Sequence, residues 1–335
     1  MANANGAVVD IHSHVMTPEA QELTRPFFTP ERDPFFEYMS PSTRAYNTQH
    51  IPEIMPGLTL PDVRLRDMDR MGVDVQAISV MPPQYFYWTE PDLGGRLARM
   101  VNDHLSDIVH AHPDRFVGLG TLPLQDVDLA LAELDRVVHD LRFTGLEICT
   151  NVNGLDYDDA RFLPFFEKVV EHDLLIVVHP HGFFDGRRLA DHYLINTVGM
   201  PMDSTVFIAR MIFGGVLERF PDLKVCVTHG GGYLPFAPAR FDHAYEARED
   251  CREHISRPPS TYLAQMYFDT VVFDPEMLGW LVGRWGADHV LLGTDYPFDM
   301  SEADPLGLLG RVDGLGEADR AMIAGGNAAR LLRLD

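Results

Sequence analysis

Val8-Val9-Asp10-Ile11-His12-Ser13-His14, within the stretch AVVDIHSHV at residues 7–15, runs from apolar residues into two histidines two positions apart. Alternate side chains of an extended strand point the same way, so Val8, Asp10, His12 and His14 are expected on one face. A strand with such a row delivers candidate metal ligands into a single cavity. A polar strand end beside a turn produces the same pattern. The other strands of the chain decide between these two readings.

Working outward, short apolar runs rich in β-branched residues recur along the chain. They are AVVDIH (7–12), VQAISV (75–80), FVGLGT (116–121), GLEICT (145–150), LLIVVH (174–179), KVCVTH (224–229), MYFDTV (266–271) and VLLGTD (290–295). Segments with helical spacing separate most of them, for example DLALAELDRVVHDL and ARFLPFFEKVVEH. Continuously apolar strands alternating with helices argue for a parallel sheet covered by helices. Roughly eight such units fit a (β/α)8, TIM-like barrel better than an open doubly wound sheet. No glycine-rich GxGxxG follows the first strand, which weakens a dinucleotide-binding alternative. Residues 1–335 are read as one barrel domain. Its rhythm breaks at residues 15–60, a segment rich in Pro, Phe, Tyr and Met with little periodicity. That irregular insertion is expected to form a lid or an interface.

Composition narrows the partners. A formal net charge of −23 argues against nucleic acid or an anionic membrane surface. An anionic substrate then needs local positive charge from a metal or from arginines. Cys149, Cys226 and Cys251 are too few and too scattered for a disulfide framework, which fits a reducing cytoplasm. No secretory signal pattern opens the chain, and no run of about 18 apolar residues suggests a transmembrane helix. A soluble, cytoplasmic enzyme is expected.

The polar residues fall in a telling place. His12 and His14 end the first strand, His179 the fifth, His229 the sixth and Asp295 the eighth. These are C-terminal strand ends, the rim where barrel enzymes assemble their sites. A single histidine there is more often a hydrogen-bonded rim residue than a ligand, but this joint occurrence points to a shared centre. Imidazoles and a carboxylate in this mixture suit Zn²⁺, with Mn²⁺ and other divalent first-row ions as alternatives.

Five stretches carry a family resemblance: DIHSHV, VRLRDMDRMGVDVQAISV, VVHPHG, LERFPDLKVCVTHGGGYLPF and LLGTDYPF. The chain resembles the amidohydrolase superfamily, in the branch of aminocarboxymuconate-semialdehyde and γ-resorcylate-type aromatic acid decarboxylases. The resemblance implies a distorted (β/α)8 barrel with one divalent metal. Carried over, the ligands are His12, His14, His179 and Asp295; they complete the set without Asp10, which is then expected to orient a ligand or the strand end. His229 matches the catalytic histidine beside the metal-bound water, and Asp295 doubles as a catalytic group. Two-metal members bridge their ions through a carboxylated lysine on strand four. GLEICT has none, and the only lysines are Lys168 and Lys224, so one metal is expected. Glu147 is expected in an internal hydrogen bond or salt bridge rather than as a bridging ligand.

Substrate contacts are less well marked. Arg248 matches an arginine that reaches a neighbouring subunit's site in the family, which implies a homodimer or higher homo-oligomer. His181 and Asn196 replace family tryptophans and are expected to face the substrate. Met55 stands where a second substrate arginine is found. Phe86, just after the second strand, lines the mouth or packs in the core. The implied function is decarboxylation of an aromatic or unsaturated carboxylic acid, with metal-bound water and His229 doing acid–base work. The alternative is metal-dependent hydrolysis or hydration of an amide, lactone or ring-cleavage product.

Overall fold

The computed structural model describes residues 6–334. Its eight strands are β1 (Val9–Val15), β2 (Val75–Val80), β3 (Phe116–Gly120), β4 (Gly145–Cys149), β5 (Leu175–His179), β6 (Lys224–Val227), β7 (Tyr267–Asp269) and β8 (Val290–Leu291). They pair in sequence order, and every neighbouring pair is parallel. The short β8 and the chain after it close the ring. Ile11 N–H donates to Leu292 O at 2.9 Å, Asp295 N–H to His12 O at 2.8 Å, and His14 N–H to Tyr296 O at 2.9 Å. The expected TIM-like barrel is the observed fold.

Two apolar layers hold it together. The larger lies between strands and helices and includes Ile78, Leu97, Phe116, Leu146, Phe165, Ile208 and Leu281. The smaller fills the barrel interior with Val9, Ile11, Val75, Ala77, Leu175, Val177, Cys226 and Leu291. Ala328, Leu331 and Leu332, from the terminal helix Asn327–Leu332, join this inner layer. Among the described residues, no helix is long and apolar enough to cross a membrane.

The first strand departs from simple alternation. Its register against β2 shifts between Asp10 and Ser13, so β1 carries one extra residue there. Val9 and Ile11 therefore face the interior, while Val8 packs with the outer layer. Beyond the shift, the His12 and His14 rings converge with centroids 5.1 Å apart. The expectation that Val8, Asp10, His12 and His14 share one face is thus corrected. A bulge, rather than unbroken period-two geometry, brings both histidines inward.

The segment expected to be irregular is largely helical. It contains Pro18–Thr24, Pro34–Glu37 and the long Pro41–Thr59. Ser40 Oγ caps the long helix by accepting from Thr43 N–H at 3.2 Å. Pro52 and Pro56 lie inside it and read as helix breakers in the sequence. Its residues Ile51, Ile54, Met55 and Leu58, at one-face spacing, form a wall of the main cavity.

Candidate metal centre and catalytic cavity

The four residues His12, His14, His179 and Asp295 each offer a donor atom, and these atoms lie within 4.8 Å of one another. All four residues are buried. Asp295 Oδ1 is the hub, at 3.2 Å from His12 Nε2, 3.1 Å from His14 Nε2 and 3.8 Å from His179 Nε2. Backbone conformation aims the side chain. Asp295 has φ 62°, a left-handed geometry that aspartate and asparagine tolerate better than most residues.

Neighbours fix which imidazole nitrogens face the hub. His12 Nδ1–H donates to Asp269 Oδ2 at 2.7 Å, and His14 Nδ1–H donates to Val80 O at 3.1 Å. Each bond leaves Nε2 with a lone pair directed at the cluster. His12 Nε2 and both nitrogens of His179 are buried without a hydrogen-bond partner. Orphaning buried polar atoms costs about 1–3 kcal/mol each. Three imidazole lone pairs and one carboxylate converging on a single point meet the donor requirements of one divalent cation.

The charges of the carboxylate and the imidazoles are tightly coupled. Burial opposes ionisation of Asp295, but His12 beside it overrides this and holds the carboxyl well below the usual range. Burial likewise opposes charge on His12, yet Asp295 and Asp269 hold its pKa well above the ordinary value. Burial pushes His179 well below the ordinary value, so its imidazole is neutral.

His229 stands beside this cluster rather than within it. Its Nε2 lies 3.4 Å from Asp295 Oδ2, the oxygen turned away from the hub. Its ring centroid is 5.2 Å from that of His12 and 4.9 Å from that of His179. The turn presenting it needs glycine, because Gly230, Gly231 and Gly232 all have positive φ of 62°, 76° and 70°. A Cβ on Gly232 would sit 2.2 Å from Pro201 O.

Asp269, at the end of β7, ties these parts together and was not singled out in the sequence. One of its oxygens holds His12, and the other accepts from Gly230 N–H at 2.9 Å, anchoring the His229 turn. A carboxylate closing MYFD at a strand end, like the other site residues, was the available signal. Asp10 accepts from His12 N–H at 3.0 Å, Gln76 Nε2 at 2.9 Å and Thr294 Oγ1 at 2.6 Å. It braces β1 against its neighbours and is not among the converging donors. Glu147 is also outside that set. It accepts from Ser79 Oγ at 2.6 Å and Tyr85 OH at 2.8 Å, with burial raising its pKa.

Above the cluster opens a cavity of about 690 Å³, whose lining includes His179 and Asp295. Its walls are mostly apolar, including Phe35, Met39, Ile51, Met55, Leu58 and Phe298, with Arg44, His50, Tyr193 and Asn196 among the polar members. His181 lines it too, held by a 2.7 Å hydrogen bond from Nε2 to Asp33 Oδ2. Phe86 does not line it. That residue is buried in the outer apolar layer and borders a separate cavity of about 40 Å³. Arg248 is also absent from the cavity. It is 65% exposed and paired with Asp250 at 2.7 Å.

An eight-stranded parallel barrel with this donor set at its rim defines a class of metal-dependent barrel enzymes. The sequence profile described as "Amidohydrolase" matches residues 4–334. The 2-amino-3-carboxymuconate-6-semialdehyde decarboxylase of Dictyostelium discoideum is 38% identical over 276 residues, spanning 82% of this chain and 77% of that protein. The crystal structure of 5-carboxyvanillate decarboxylase from Sphingomonas paucimobilis superposes with a TM-score of 0.87 at 28% identity, covering 98% and 99% of the two chains. A dihydroxybenzoic acid decarboxylase from a Polaromonas species, solved with manganese and the inhibitor 2-nitroresorcinol, gives 0.82 at 26% identity, covering 98% and 97%. The chain belongs to the amidohydrolase family and is an enzyme of its carboxy-lyase branch.

Proposed function

We propose that this enzyme removes CO₂ without oxidation from an aromatic or unsaturated carboxylic acid. The observation that carries the reading is the two-sided placement of Asp295. Oδ1 faces the three histidines and Oδ2 faces His229, and Asp295 itself lines a largely apolar cavity. Three imidazoles and a carboxylate suit Zn²⁺, while a structural neighbour holds manganese, so Zn²⁺ and Mn²⁺ are the two candidates. A divalent cation would be held by His12, His14, His179 and Asp295 and would supply Lewis acidity beside the cavity.

The rest of the chemistry falls to the chain. Loss of CO₂ replaces a C–C bond with a C–H bond, so one proton must reach the carbon bearing the carboxylate. His229 Nε2 and Asp295 Oδ2, 3.4 Å apart, hold that proton between them. When the carbon takes it, the C–CO₂⁻ bond breaks and its electron pair restores the ring or double bond. A hydroxyl or amino group ortho or para to that carbon makes it basic enough to be protonated. The apolar walls disfavour the carboxylate relative to neutral CO₂. His181, oriented by Asp33, and Asn196 contact the substrate's polar substituents. Arg248 grips a substrate carboxylate in the neighbouring copy of a homodimer, its local pair with Asp250 being exposed and weak.

The primary test is CO₂ release by Zn²⁺- or Mn²⁺-loaded protein from a panel of hydroxybenzoates and muconate-type acids. No release, together with hydrolysis of lactones or amides, overturns the reading. Substituting His229→Ala should lower kcat at least about 100-fold with bound metal unchanged. Loss of metal in that variant would instead place His229 among the ligands. Arg248→Ala should raise KM about 10-fold with little change in kcat, and an unchanged KM removes the intersubunit grip.

A further inference from the structure

A second cluster of metal-type donors lies on the outside of the barrel and takes no part in the site above. Asp135 and His139 stand one helical turn apart on the helix Val127–His139. His172 follows the adjacent helix Leu163–Glu171. One donor atom from each of the three lies within 4.8 Å of the others. His172 Nε2 is 3.9 Å from Asp135 Oδ1, and the two imidazole rings meet edge to face with centroids 5.3 Å apart.

We infer that Asp135, His139 and His172 form a second binding site, for a divalent transition ion of the zinc type. Two independent observations support this beyond proximity. His172 Nε2 is buried at the atom level without a hydrogen-bond partner, although the cluster around it is open to solvent. It is a lone pair or proton with no protein group to satisfy it. The second is electrostatic. Both helices end at the cluster, so the negative ends of two helix dipoles converge where a cation would sit. Glu171 adds a further carboxylate nearby, though it is engaged by Lys168 at 2.9 Å.

The donor set determines the ligand class. Two imidazoles with one carboxylate favour Zn²⁺, Co²⁺ or Ni²⁺ over Mg²⁺ or Ca²⁺, which prefer oxygen alone. Water completes the coordination, since Asp135 is 54% exposed. The location separates this site from the catalytic one. His172 precedes β5 and His179 ends it, so the two centres lie toward opposite ends of that strand, whose five residues alone rise roughly 13 Å. An ion there clamps the ends of two neighbouring helices on the face of the barrel away from the cavity.

The test uses the full chain, stripped with chelator and equilibrated with Zn²⁺ in dialysis, with bound metal measured per chain. Wild type should bind one equivalent more than His139→Ala, a substitution of an exposed side chain outside the catalytic machinery. His172→Gln should show the same deficit, with affinity for that equivalent weakened at least about 10-fold. The difference between wild type and variant is read whether or not the cluster around Asp295 binds metal. Failure of the decarboxylase reading therefore leaves this result interpretable. Equal metal content in wild type and both variants overturns the site.

Discussion

Replacing Asp295 with Asn is expected to lower kcat about 10⁴-fold while leaving the fold intact. Asparagine matches aspartate in shape and is one of the few residues that accepts the left-handed backbone at φ 62°. The chain conformation and the 2.8 Å bond from the backbone N–H of residue 295 to His12 O are therefore retained. What disappears is the negative charge that faces His12, His14 and His179, and with it the charged oxygen 3.4 Å from His229 Nε2 on which the proposed proton transfer relies. Measuring metal content beside turnover separates these two losses. Metal retained with turnover gone makes the proton on Oδ2 decisive, whereas both lost makes Oδ1 the anchor. Retention of a tenth of wild-type activity would refute a central role.

The largest expected effect on stability is at Arg64, which is 2% exposed. Its guanidinium donates to His14 O, to Gly57 O at 3.1 Å, to Gln76 Oε1 at 3.0 Å and to Ser13 Oγ at 3.3 Å. It also lies over the Tyr296 ring at 4.8 Å. Burial pulls its pKa down to about 10, but it stays charged at neutral pH. Arg64→Met fills much of the same volume with no donors. The carbonyls of His14 and Gly57 then lose this partner, at a combined cost of about 3 kcal/mol. Urea unfolding of the metal-free protein measures this directly, and a loss below about 1 kcal/mol would show that other groups or water replace the arginine. Because His14 O sits on the same residue as a metal-cluster imidazole, metal affinity should weaken in parallel.

The barrel was legible because parallel strands buried on both sides must be continuously apolar, and eight such runs stand out. The clustering of His12, His14, His179, His229 and Asp295 was legible for a related reason. Barrel topology places every C-terminal strand end on one rim, so strand position alone brings these residues near one another. The bulge in β1 was not legible, because period-two spacing reads the same with or without an extra residue. The helix Pro41–Thr59 was hidden by Pro52 and Pro56, whose usual meaning is a break. Arg64 was visible only in retrospect. It shares a helical face with the buried Met68, one turn later in VRLRDM. Phe86 takes the second of its two expected places, packing in the core, since adjacency to a strand end does not say which way a side chain turns.

The helix that roofs the cavity has a consequence for how such an enzyme diversifies. The floor is assembled from strand ends scattered between His12 and Asp295, each constrained by the others through Asp269, Asp10 and Arg64. Much of the opposing wall comes from one contiguous stretch, with Arg44, Asn47 and Thr48 toward its start and Ile51, Met55 and Leu58 toward its end. Reactivity is distributed across the whole gene, whereas much of the cavity's shape is written in a single short passage. Mutations there are free to accumulate together and be inherited as a block, retuning the choice of acid without reopening the problem of how to break its bond.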